Sequence, residues 1–170
     1  VSFNTGTPLQ SFARNPQLRV SYTVGGLKLI AAALTQRDYT NVGMTGASSG
    51  YLRNAAMPDM HVQLHYKSEL NADGSALIGG AGFAFKTIVP RLQSEMGAAE
   101  PYDIYKVDEK VNSITAMAFS KLTLKPITAK VQLRYGENIS DLLAISGFAV
   151  KAVLDPVSGE QSYTPLKSLS

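Results

Sequence analysis

Apolar and polar residues alternate along several stretches of this sequence, and the connections between those stretches are alternately short and long. Pro16 to Val24 puts Leu18, Val20, Tyr22 and Val24 on one face and Gln17, Arg19, Ser21 and Thr23 on the other. Successive side chains of a strand point to opposite faces, so a period of two predicts a strand with one apolar face. Asp59 to Lys67 is the clearest case, with Met60, Val62, Leu64 and Tyr66 against Asp59, His61, Gln63, His65 and Lys67. Thr128 to Tyr135 sets Ala129, Val131, Leu133 and Tyr135 against Thr128, Lys130, Gln132 and Arg134. Further strands are expected over Leu27 to about Gln36, Ser75 to Val89 and Lys110 to Leu124. The second of these carries Leu77, Ala81, Phe83 and Phe85 on one face and Gly80, Gly82, Ala84 and Lys86 on the other.

The short connections are Gly25-Gly26, the Asn71-Ala72-Asp73-Gly74 stretch and Lys125-Pro126. Glycine reaches the positive φ that tight hairpin turns need. The long ones span about 37–58, 90–109 and 136–159 and show no sustained period, so each reads as a loop. Within the third, Ser140 to Val153 fits either a short helix or two short strands broken at Gly147.

Composition removes several classes. The chain has 170 residues, enough for a single domain, with no cysteine, so disulfide scaffolds, thiolate metal sites and cysteine nucleophiles are excluded. Charged residues make up only 17% and the net charge is +3, which argues against a disordered or nucleic-acid-binding tail. No apolar run approaches the roughly 20 residues of a membrane-spanning helix. The sequence opens on Val1 without a charged-then-apolar leader, which suggests a processed chain or a window from a longer protein.

Strands of about 9–11 residues, apolar on one face, joined alternately by short and long connections, are the pattern of an up-and-down outer-membrane barrel. Lipid offers no hydrogen bonds, so a spanning sheet must leave no edge unpaired. The expected fold is therefore all-β: an antiparallel up-and-down transmembrane β-barrel or a segment of one, with seven or eight strands visible across residues 1–170. Tyr22, Tyr66 and Tyr135 lie near strand ends on the apolar face, where an interfacial aromatic girdle belongs.

Three segments resemble the trimeric porin-like outer-membrane proteins of the DcaP type. These are Arg14-Asn15-Pro16-Gln17-Leu18-Arg19-Val20-Ser21-Tyr22, Pro58-Asp59-Met60-His61-Val62-Gln63-Leu64-His65-Tyr66, and Lys130 to Gly136 running into Glu137-Asn138-Ile139. The resemblance covers roughly residues 10 to 165. It implies a central piece of a 16-stranded barrel, a homotrimer in the outer membrane of a Gram-negative bacterium, and small organic anions such as dicarboxylates as solutes.

On the three clean strands the polar faces carry Arg19, Lys67, Lys130 and Arg134, with His61 and His65, against the single acid Asp59. If the apolar faces meet lipid, these residues line a water-filled lumen, and rings of Arg and Lys favour anions. The expected activity is passive diffusion, with no enzymatic turnover, cofactor or nucleic-acid partner. Lys28 and Lys86 are expected near the rims. The plainer reading of the same charges is a solvated face of an ordinary sheet.

Other motifs lack their context. Gly46-Ala47-Ser48-Ser49-Gly50 matches the nucleophile elbow of esterases, but it lies in a polar loop, without the strand before it and the helix after it that the elbow requires. His61 and His65 stand four apart on a strand pattern, about 13 Å by strand rise, too far for one metal ion. Gly79-Gly80-Ala81-Gly82 precedes no helical pattern, and Phe85-Lys86-Thr87 lacks the glycine of a phosphate loop. The alternative to a pore is a soluble all-β binding or structural module whose long loops make contacts. What covers the apolar faces separates the two.

Overall fold

The structure, a computed structural model, describes residues 15–35, 42–43, 46–47, 54–72, 74–90, 92–96, 103–139, 150–154 and 161–169. In chain order the strands are β1 (Gln17–Val24), β2 (Leu27–Leu34), β3 (Val42–Gly43), β4 (Gly46–Ala47), β5 (Asp59–Glu69), β6 (Ala76–Ile88) and β7 (Gln93–Met96). They continue with β8 (Asp103–Lys106), β9 (Val111–Leu124), β10 (Ile127–Glu137), β11 (Val150–Leu154), β12 (Gln161–Pro165) and β13 (Lys167–Leu169). Seven of them form one antiparallel sheet in the order β1-β2-β5-β6-β9-β10-β13. Every neighbour in that sheet follows its predecessor along the chain once the small hairpins are set aside, so the topology is a plain meander. The sheet is open, with β1 and β13 at its two edges.

All short turns lie at one end of the sheet. Gly25, at φ +55°, turns β1 into β2, and the Lys67 N–H donates to the Gly26 carbonyl at 2.8 Å, carrying the ladder past the hairpin. The β5–β6 turn closes through Leu70 N–H to Ser75 O at 2.9 Å, with Gly74 at φ +90°. Lys125-Pro126 joins β9 to β10 and pairs Leu124 with Ile127. At the opposite end run the three long connections, and each contains a small hairpin: β3–β4, β7–β8 and β11–β12. The expectation of loops without strands over 37–58 and 90–109 is corrected there, while the third segment, 136–159, whose sequence allows short strands, contains β11. Ladders of two to five residues are too short to display the alternation by which a strand is recognised. Of the Ser140–Val153 segment, Val150 to Val153 belong to β11, and 140–149 lie outside the described residues.

Register sorts the side chains of the seven strands onto two faces, because directly paired residues share a face. One face carries Val20, Ala31, Val62, Phe83, Ala116 and Tyr135 in a single row across six strands, with Leu169 beyond. From Leu18 to Tyr135 this face bears no charged side chain; only Glu137 and Lys167, at the long-connection end, interrupt it. It is also open: Val20 is 66% exposed, Val62 51%, Val131 59% and Leu133 62%. The buried residues lie elsewhere. Ile30, Ala32, Asp59, Ile88, Val111, Ser113 and Arg134 all belong to the opposite, mixed face, Thr87 being the one buried strand residue on the apolar side. The sheet is thus inverted relative to a water-soluble one, which buries its apolar face.

Candidate functional site

The mixed face is organised in rows that cross the sheet from strand to strand. Arg19, Ala32, His61, Ala84, Thr115 and Gly136 form one row near the long-connection end. Ser21, Ile30, Gln63, Gly82, Met117 and Arg134 form the next. Then come Thr23, Lys28, His65, Gly80, Phe119 and Gln132, followed by Lys67, Ile78, Lys121 and Lys130. All six residues singled out from the sequence stand on this face. Arg19 shares a row with His61, and Lys67 shares one with Lys130. His61 and His65 occupy different rows, and His65 is engaged locally, its Nε2 lying 3.2 Å from Gln63 Oε1.

Sequence reasoning missed Lys121, because the faces of Lys110 to Leu124 do not alternate cleanly. The signal was present in the turn: a two-residue connection at Lys125-Pro126 forces Lys121 opposite Lys130. With Lys28 and Lys86 included, the face carries seven cations, Arg19, Lys28, Lys67, Lys86, Lys121, Lys130 and Arg134, spread over six strands. Against them stand two acids, Asp59 and Glu69, both on β5. Glu69 lies 3.4 Å from Lys67 in an exposed pair, a contact of small energetic weight. Fixed charge so unbalanced raises the local concentration of anions near the surface.

Polarity on this face is incomplete. β2 contributes Ile30 and Ala32, both buried, which explains why its sequence alternates poorly. The long-connection end is closed over by the turn that leaves β10. Lys86 Nζ donates to the Asn138 carbonyl at 2.7 Å, and Asn138 N–H donates to Leu166 O at 3.0 Å. Ile139 is folded back so tightly that a Cβ on Gly136 would lie 2.5 Å from its Cγ2. A small cavity remains under this turn, lined by Asp59, His61, Lys86, Ser113, Thr115 and Ile139 among others. Lys86 and Lys28 therefore lie toward opposite ends of the face. The β11–β12 hairpin is tied to the start of β9 where Tyr163 N–H donates to Glu109 Oε1 at 2.6 Å.

Among the described residues no group of three or more His, Asp or Glu side chains is placed to hold a metal ion. No helix among them is long and apolar enough to cross a membrane. Of the Gly46–Gly50 motif, Gly46 and Ala47 form β4, and the rest lies outside the described residues. Comparisons with protein-family models, curated proteins and solved structures find no match to this chain.

Proposed function

We propose that this chain forms part of an outer-membrane porin, a water-filled channel for passive diffusion of small, preferentially anionic solutes such as dicarboxylates. The observation that carries the reading is the inverted sheet: an exposed apolar face, charged only at Glu137 and Lys167 near the long-connection end, opposite a face with seven cations and two acids. Exposed apolar area on this scale needs an apolar neighbour. The eleven residues of β5 extend about 36 Å at the usual strand rise, and a tilt near 45° brings that to roughly the 25 Å apolar band of a barrel. Short turns at one end and long connections at the other match the periplasmic and extracellular ends of such barrels. A spanning sheet leaves no edge unpaired, so the reading requires strand partners for the outer edges of β1 and β13. The homotrimer implied by the resemblance to DcaP-type proteins is part of the same proposal.

In this mechanism lysine and arginine side chains along the lumen attract the anion, and lumen width limits its size. The test is a gel of the membrane-extracted protein, boiled beside unboiled, followed by reversal-potential measurements in planar bilayers. A heat-shifted band and an anion-favouring reversal potential are expected. A single heat-indifferent band, soluble without detergent and without conductance, overturns the pore in favour of a soluble β-module.

A further inference from the structure

We propose that the cavity beneath the Asn138–Ile139 turn is a binding site for one water molecule, held by the Ser113 hydroxyl. Ser113, on β9, is 2% exposed and lines that cavity. Among the described residues its Oγ has no hydrogen-bond partner. A buried hydroxyl without a partner costs free energy, and in folded proteins ordered water commonly supplies the missing bond. The inference goes beyond the channel and is independent of it, because it holds whatever covers the apolar face.

Register and side-chain size make the space. Ser113 pairs with Lys86, and the adjoining row runs His61, Ala84, Thr115 and Gly136. Ala84 and Gly136 fill little of their places, and Ile139, 4% exposed, lies over the gap. The room that remains is about that of one water molecule. An internal water needs two to four polar partners. Ser113 Oγ supplies one, and Thr115, His61 and Asp59 stand in the same wall. A carboxylate accepts several hydrogen bonds at once, so Asp59 can receive one from the water beside its other contacts. The charges of the lining also favour a neutral guest that both donates and accepts. A bare anion would meet Asp59, and a bare cation would meet Lys86, whose Nζ already donates to Asn138 O at 2.7 Å.

The test is a crystal structure of the full chain at a resolution that shows ordered water. A density peak about 2.7–2.8 Å from Ser113 Oγ, the usual hydroxyl–oxygen distance, is expected, with at least one further polar neighbour. In Ser113→Val two methyl groups replace the hydroxyl and take up the space, so the peak should be lost. Oxygen-17 relaxation dispersion reads the same site in solution, because it detects long-lived water and not exchanging hydroxyl protons. Its amplitude should fall by that of one water in Ser113→Val and stay unchanged in Ser120→Ala, also on β9 and outside the cavity lining. Ser113 Oγ bonded directly to a protein group, a metal ion in place of the water, or an unchanged dispersion in Ser113→Val overturns the site.

Discussion

His65 and Phe119 meet edge to face across the polar side of the sheet, with ring centroids 5.4 Å apart and planes at 90°. They belong to β5 and β9, which are not neighbours; β6 runs between them and places Gly80 in their row. A Cβ there would stand 2.7 Å from Leu64 O and 2.8 Å from Phe119 Cζ. The glycine is what allows the two rings to meet, and edge-to-face pairs contribute about 0.5–1.5 kcal/mol beyond the area they bury.

Gly80→Ala is therefore expected to destabilise the protein by about 1–3 kcal/mol, the usual cost of overpacking. Gly79→Ala, whose added Cβ would meet nothing nearer than Phe119 O at 3.5 Å, should be close to neutral. Denaturant midpoints for the two variants, measured side by side, check this contrast.

Val62 and Gln63 are neighbours on β5 that face opposite sides. Val62→Lys should lower stability in a bilayer by about 2–4 kcal/mol, the cost of a cation on a lipid-facing position near the midplane. Gln63→Lys should fold normally and increase anion preference. In a water-soluble protein the half-exposed Val62 would accept lysine with little effect, so urea titrations in vesicles discriminate between the two settings.

Removing the hydrogen bond from Lys86 Nζ to Asn138 O, by Lys86→Met, should free the turn after β10. A bond from a charged donor contributes about 1.5–3 kcal/mol. The expected result is faster limited proteolysis near Asn138 and a larger single-channel conductance, both read against the unaltered chain.

Anion selectivity should fall stepwise as Lys67, Lys121 and Lys130, which share one row, are replaced by glutamine. The loss should be largest below 0.1 M salt, where the Debye length exceeds about 10 Å, and fade near 1 M, where it shrinks to about 3 Å. Reversal potentials over a salt series measure this.

Much of the sheet was legible because a half-exposed strand writes its faces into a period of two. Gln17–Val24, Asp59–Glu69 and Ile127–Glu137 have the expected faces, and their bounds differ from expectation by two residues at most. β2 and β9 were blurred for physical reasons. The inner face of β2 is apolar and buried at Ile30 and Ala32, and that of β9 mixes Val111, Met117 and Phe119 with Lys121. The small hairpins β3–β4 and β7–β8 were hidden because ladders of two to four residues show no period.

By itself the sequence determined the faces of β1, β5 and β10, the positions of the short turns and the sign of charge on the polar side. These are local properties, set by side-chain alternation and by residues such as Gly25 that reach positive φ. Only the tertiary structure decided that His65 reaches Phe119 over Gly80 and that Ile139 folds back over the polar face. Each of those contacts depends on register or on chain reversal, which bring together residues that no local period relates.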